Sequence, residues 1–277
     1  MRFIFAITSF AAALTFALPS VAGPVFLTGH DPDFHAQTAG ADGTGAQNLL
    51  NIALGYVTGS THNTAGSKFL WVESRITKPS GHEVGEVGLG TIGLTLGTHY
   101  DRANATEFGS VDLSAYTAIA IASSFGGLLT RAELDALIAR KTDIKNFINA
   151  GGGLFAGSEC DGCGNDLLGV NPDLFGYLPI DVTSINASPD FTPTAFGLNL
   201  GLVFGDLQSP THNSFGLTGG LNIVDTDSSG NATTLAGNVF IDEGGFTSTI
   251  PEPAALVLFG LGLLGLGMAR RRKKRAA

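Results

Sequence analysis

Apolar residues along the chain fall into two patterns, and each predicts a different element. Val25–Thr28 (VFLT), Lys68–Ile76 (KFLWVESRI), Tyr116–Ser123 (YTAIAIAS) and Gly153–Gly157 (GLFAG) are short, largely unbroken apolar runs. Such runs fit strands buried on both faces of a sheet. Gly45–Val57 (GAQNLLNIALGYV) and Thr130–Ala150 (TRAELDALIARKTDIKNFINA) instead carry apolar residues three and four apart, the spacing of a helix with one buried face. Thr130 followed by Glu133 reads as a capping box, and Gly151-Gly152 as the stop. Strand, helix and strand with short joins form a βαβ unit, which predicts a mainly parallel sheet covered by helices. Beyond Pro179 come shorter stretches at Ile180–Ile185, Gly201–Leu207, Leu221–Asp225 and Asn238–Ile241, split by Pro, Gly, Asn and Asp. They predict strands that either finish this sheet or form a β-rich extension over residues 179–249.

The two ends follow neither pattern. Residues 1–22 begin with Arg2, continue through an apolar stretch from Phe3 to Leu18, and close on Ser20-Val21-Ala22. That order is the order of a Sec signal peptide cleaved before Gly23. At the other end, Ala254 to Ala269 is uncharged and Arg270 to Arg275 is entirely basic. As a helix the uncharged run spans about 24 Å at ~1.5 Å per residue, against a hydrocarbon core of about 30 Å. Four glycines weaken it further. It predicts a short membrane-spanning helix that holds the chain in the inner membrane transiently, with the basic end cytoplasmic.

Residues 250–277, with Pro251, Glu252 and Pro253 ahead of the Gly/Leu-rich run and the Arg/Lys cluster, resemble the PEP-CTERM sorting signal of Gram-negative bacteria. The resemblance implies processing by exosortase, a membrane protease, followed by release or attachment at the cell surface. It also implies a setting in which exopolysaccharide is a candidate partner.

The ends hold seven of the 15 basic residues and one of the 24 acidic ones, so residues 23–249 carry 8 basic against 23 acidic. A net charge near −15 excludes a nucleic-acid-binding surface, which needs clustered Lys and Arg. The only cysteines, Cys160 and Cys163 in ECDGCG, have three readings: a small disulfide loop in an oxidising compartment, free thiols, or a metal or redox site. Zinc would need two further ligands from elsewhere.

Tyr116–Gly127 (YTAIAIASSFGG) and Asn149–Glu159 (NAGGGLFAGSE) together resemble the class I glutamine amidotransferase-like superfamily. That resemblance implies a flavodoxin-like three-layer sandwich with sheet order 2-1-3-4-5 over residues 23–249. Gly126 and Gly127 stand at the family's glycine pair, and Gly157 or Ser158 stands where its nucleophilic cysteine belongs. Ser214 occupies the glutamate position of the family's late His-x-Glu, after His212. These departures speak against glutamine hydrolysis.

In such a sheet ligands gather at the carboxyl ends of the strands. This places GHDPDFH (Gly29–His35), SSFGG (Ser123–Gly127) and GSECDGC (Gly157–Cys163, with Asp161) along one rim. One chemistry there is a divalent metal held by His30, Asp31, His35 and Glu159. Another is nucleophilic catalysis by Ser158, served by His30 or His212, with Glu159 close by and Gly127 donating to an oxyanion. In the third reading these groups only satisfy loop backbones, as Asp31 before Pro32 and Asp33 suit a turn. DTDSSGN (Asp225–Asn231) reads as a hairpin turn before it reads as a calcium loop, since the closing glutamate is missing. The balance favours an exported cell-envelope or extracellular-matrix protein with a non-catalytic binding or structural domain. The alternative is a surface hydrolase or metal-dependent enzyme using the rim.

Overall fold

An apolar run without alternation offers no face to water, so it belongs inside a sheet covered on both sides. The computed structural model describes residues 22–38, 40–59, 67–76, 84–124, 127–158, 173–207, 213–242 and 247–248, all within one compact unit, Val21–Pro251. In chain order its first half holds β1 (Gly23–Thr28), α1 (Pro32–His35), α2 (Ala41–Thr58), β2 (Phe69–Val72), α3 (Glu86–Thr91), β3 (Tyr100–Ala103) and α4 (Ala105–Phe108). Then come β4 (Ala118–Ile121), α5 (Arg131–Ala139), α6 (Lys141–Asn149) and β5 (Gly153–Gly157). The last part holds β6 (Val182–Asn186), β7 (Thr192–Pro193), α7 (Ala195–Leu200), β8 (Asn213–Thr218), β9 (Asn222–Thr226), β10 (Ala232–Ile241) and β11 (Thr247–Ser248). Every residue of β2, β4 and β5 is buried.

These strands form one mixed sheet in the order β3-β2-β4-β5-β1-β10-β8-β6, with β9, β7 and β11 attached beside β10. The first five are mutually parallel, and those after β1 are joined by antiparallel pairs. Side chains alternate across the sheet as the pleat requires. Phe26, Phe69, Trp71, Ala120 and Phe155 pack with α2 and α3 on one face. Val25, Leu27, Leu70, Val72, Ile119, Ile121, Leu154 and Ala156 pack with α5 and α6 on the other. As expected, β4 and β5 are adjacent and parallel, in register from Ala118↔Gly153 to Ile121↔Ala156.

The sheet order 2-1-3-4-5 expected with β1 near the middle of the parallel set is corrected. β1 stands at the far end of that set and continues into six antiparallel pairs with β10, from Gly23↔Val239 to Thr28↔Thr234. Counted from β2, the strands do follow 2-1-3-4, and β1 fills the fifth place. The late strands therefore finish the sheet rather than forming a separate layer. Two element boundaries are corrected as well. Gly201–Leu207 is no strand but the turn after α7, because Gly201 sits at φ 105° and closes the helix. The Asp206 carboxylate then accepts from Val203 N at 2.9 Å and holds the turn. The long helix from Thr130 divides at Arg140 into α5 and α6, although its capping box is present.

Close approach of α2 to the sheet depends on a glycine. A Cβ on Gly153 would overlap the Val57 carbonyl oxygen at the end of α2. Gly153→Ala is therefore expected to cost about 1–3 kcal/mol through backbone displacement. A thermal melt should show a Tm lower by roughly 2–12 °C; an unchanged Tm would mean that α2 moves away freely.

Candidate functional site

The connection from β2 leaves toward one edge of the sheet and the connection from β4 toward the other, so the switch point lies between them. Ligand sites of open α/β sheets form there, outside the carboxyl ends of the strands. What fills that place is a pair of buried carboxyl groups, Glu73 just after β2 and Asp33 from α1, both with no exposed surface.

Glu73 is a hydrogen-bond hub. Oε1 accepts from Gly85 N at 2.6 Å and Leu128 N at 3.1 Å. Oε2 accepts from the Trp71 indole at 2.9 Å and Glu86 N at 3.2 Å. One side chain thus gathers the end of β2, the start of α3 and the segment leading to α5. Burial pushes its carboxyl up to about 7, and the neighbouring Asp33 adds to this, against the indole bond and the Arg102 charge. Glu86, beside it, takes the Arg102 guanidinium at 2.6 Å and the Tyr100 hydroxyl at 2.9 Å.

Asp33 Oδ2 accepts from Ser123 N at 2.9 Å, and Ser123 Oγ accepts from Gly127 N at 2.6 Å. A Cβ on Gly127 would come within 2.5 Å of Asp33 Oδ2, so the carboxylate reaches β4 because position 127 has no side chain. Burial raises the Asp33 carboxyl as well.

At the end of β1 lies a second polar group. His30 Nε2 meets Asp225 Oδ2 at 2.9 Å, with both side chains fully buried, and the imidazole stands edge-on to Phe191. The His30 backbone N–H donates to Thr28 Oγ1 at 3.1 Å, which in turn meets Thr234 Oγ1 at 2.9 Å. Ser158 N donates to Thr28 O at 2.8 Å, and Ser158 Oγ accepts from Asn213 Nδ2 at 2.6 Å.

The structure therefore brings Asp33 and Ser123 together at the rim, and Ser158 to the end of β1. It does not gather His30, Asp31 and His35 around one point. His30 turns to Asp225, whereas His35 lies 3.0 Å from Asp42 and 3.4 Å from Asp31. Among the described residues no three His, Cys, Asp or Glu side chains are arranged to hold an ion. The Ser158 hydroxyl meets an amide where the nucleophilic reading places an imidazole. Glu159, His212, Cys160, Cys163 and Gly126 lie outside the described residues, as do Pro251, Glu252, Pro253 and the apolar run after them. No helix among the described residues is long and apolar enough to cross a membrane.

Asp225–Asn231 forms the β9–β10 connection. Asp227 accepts from Ser229 N at 3.0 Å, Asn231 N at 2.9 Å, Ser188 N at 3.1 Å and Ser214 Oγ at 2.8 Å. Burial works against ionisation of Asp227, but bonds from Ser188, Asn231 and Ser214 together hold its carboxyl below the ordinary range. The group is satisfied as a turn organiser.

Sequence reasoning missed Glu73 and the partnership of His30 with Asp225. Glu73 does leave a local trace: an acid placed directly after four buried apolar residues, FLWV, needs donors close by. Asp225 leaves none, because its partner is 195 positions away in the chain.

No curated protein and no solved structure matches the chain, and the amidotransferase-like resemblance of the body has no family match or structural neighbour behind it. Residues 249–273 match the family model of the PEP-CTERM protein-sorting motif. The chain therefore carries the mark of an exported protein that passes the membrane, is processed by the membrane enzyme exosortase and reaches the cell surface.

Proposed function

We propose that this is an exosortase-sorted protein of the cell envelope or extracellular matrix whose α/β domain binds or builds and does not catalyse. The observation that carries the reading is the sorting motif at residues 249–273. Residues 1–22 serve as a Sec leader, the run after Pro253 as a transient inner-membrane hold, and exopolysaccharide is a candidate partner at the surface. The rim supports a non-catalytic domain because its polar groups are committed internally: Glu73 to four donors, Asp33 to Ser123, His30 to Asp225, and Ser158 to Asn213.

Intact-mass measurement on surface material tests the sorting reading. The mature chain is expected to begin at Gly23 and to end near Glu252. With Pro251, Glu252 and Pro253 all replaced by alanine, the tail should stay attached and the protein should accumulate in the inner membrane. Surface protein from the unaltered chain that still ends in Ala277 would count decisively against the reading.

A second reading, a surface hydrolase or metal-dependent enzyme, draws on two buried atoms, His30 Nδ1 and Asp33 Oδ1, that have no hydrogen-bond partner among the described residues. In it, His30, Asp31, His35 and Glu159 would take a divalent ion, or Ser158, Glu159 and His212 would act on a substrate. A metal inventory of exported protein separates the two: one equivalent of zinc, manganese or iron would favour the enzyme.

A further inference from the structure

The two helical layers that cover the sheet present different outer surfaces. α5 and α6 expose Arg131, Asp135, Lys141 and Asp143, the mixed charges expected of a helix facing water. α2 is 18 residues long and has a single charged residue, Asp42 in its first turn. Its outer stripe runs through Asn48, Ile52, Tyr56 and Gly59 at helical spacing, each at least partly exposed. Residues 191–205, which include α7 and meet α2 at Gly201, have no charge at all. An uncharged band on a strongly acidic body has the make-up of an interface core, where charged side chains are depleted and aromatic ones enriched.

One end of this band carries a built knob. Phe204 is 69% exposed, Val203 55% and Leu198 41%. The turn presenting the first two is fixed at both ends: Gly201 and Gly205 each sit at φ 105°, and Leu202 and Leu207 are buried on either side. The Asp206 carboxylate accepts from Val203 N at 2.9 Å and from Asn48 Nδ2 at 2.5 Å, and Asn48 also donates to Gly201 O at 3.2 Å. Holding an aromatic ring in water forgoes the gain of burying it, so a turn fixed in this way calls for a contact. The far end of α2 opens on a groove of about 1120 Å³ lined by Tyr56, Val57, Leu113, Tyr116 and Phe147.

We propose that this band is the interface of a symmetric dimer, in which α2 packs antiparallel on α2 of a second copy and Phe204 of each enters the groove of the other. The proposal deepens, and rests on, the reading of the domain as one that binds or builds. Ile52 stands midway between Asn48, which anchors the knob, and Tyr56, which lines the groove. An antiparallel crossing centred on Ile52 therefore sets Asn48 opposite Tyr56 of the second copy. The face is self-complementary, which is the condition for a twofold interface, the commonest symmetry of soluble oligomers. Charge selects the occupant. Two acidic bodies repel unless they meet through surface without charge, and a membrane is disfavoured because the band offers no Lys or Arg to lipid headgroups. α2 alone, about 27 Å long and about 10 Å wide, is too small for an interface that buries roughly 800 Å² on each copy. Knob and groove supply the rest.

Sedimentation equilibrium on protein recovered from the cell surface tests this. The unaltered protein should form dimers and nothing heavier. Phe204→Ser should raise the dimer dissociation constant about thirtyfold or more, as loss of a central aromatic anchor does, with circular dichroism unchanged because the ring is mostly exposed. Asn51→Glu, on the exposed side of α2 beside Ile52, brings two like charges together at the twofold. It should weaken the dimer at low salt, and added salt should restore it. Leu217→Ser, at a residue 48% exposed on β8, is the control and should change nothing. A monomer at every concentration, assembly beyond a dimer, or a dimer that either Phe204→Ser or Asn51→Glu leaves intact would overturn the proposal. So would equal weakening by Leu217→Ser. Intact mass and metal content of the same material read the sorting and enzyme readings separately, so a metal-free monomer of the expected mature mass sinks the dimer alone.

Discussion

Glu73→Ala is expected to remove several kcal/mol of stability, enough to leave the domain largely unfolded near 37 °C. The carboxylate accepts from Trp71 Nε1, Gly85 N, Glu86 N and Leu128 N, and alanine leaves all four donors without it. A buried group left unsatisfied costs about 1–3 kcal/mol, and a whole domain holds only about 5–15 kcal/mol. Relaxation and water entry will recover part of the loss, as will the remaining ties among these segments, Ser74 N to Leu128 O at 2.9 Å and Arg102 bridging Glu86 and Ser74 O. Urea denaturation of the purified body measures the effect directly. A loss below about 1 kcal/mol would show that Glu73 is not the clamp of the switch point.

The same residue gives the protein a pH dependence with a defined sign. Its carboxyl is raised from an ordinary 4.5 to about 7 because burial outweighs the donors that favour ionisation. The folded state therefore holds a proton that the unfolded state has released. The stability linked to that proton is fully present below about 4.5 and is lost as the pH rises through about 7. At about 1.4 kcal/mol per pKa unit, the change amounts to roughly 3 kcal/mol. Asp33, raised by burial, acts in the same direction. Unfolding free energies should therefore be greater at pH 5 than at pH 8, and Glu73→Gln should flatten that difference while lowering stability at both. A pH profile left unchanged by Glu73→Gln would assign the dependence to other groups.

The second large effect concerns His30. Its replacement by alanine leaves Asp225 fully buried without its imidazole partner. Breaking one side of a buried pair typically costs about 3–5 kcal/mol. Arg131→Ala is the control, because Arg131 and its partner Asp135 are both more than half exposed and exposed pairs contribute at most about 1 kcal/mol. The contrast bears on function as much as on stability. Residues kept for catalysis or ligand binding often stabilise a protein when removed, so a gain in stability for His30→Ala would revive the metal or catalytic reading of the rim. A loss several times larger than that of Arg131→Ala assigns His30 to the framework.

How far these features were legible in the sequence depended on the distance over which each is decided. FLWV, AIAI and GLFAG announce strands buried on both faces because every residue in them is apolar. YDRA in β3 and NSFGLT in β8 escaped notice because neither has an apolar run, and they take strand form by pairing, β3 with β2 and β8 with β6 and β10. The capping box at Thr130 was readable because it involves residues three apart. The break at Arg140 was not, because nothing in ALIARKTDI interrupts the helical spacing; no local feature accounts for it. Asp33 and Ser123 were rightly placed at one rim, since the carboxyl ends of parallel strands share an edge in any order.

By itself the sequence determined the sorting motif near its C-terminal end, the parallel βαβ core and the acidic character of the body. Each of these depends on composition or on residues within a turn or strand of one another. Only the tertiary structure decided that β1 lies between β5 and β10, that His30 meets Asp225, and that Glu73 collects donors from three segments. Those outcomes join distant parts of the chain, and local pattern is indifferent among the alternatives. A fully apolar strand is equally suited to any interior place, and packing of both core layers against α2, α5 and α6 selects among them.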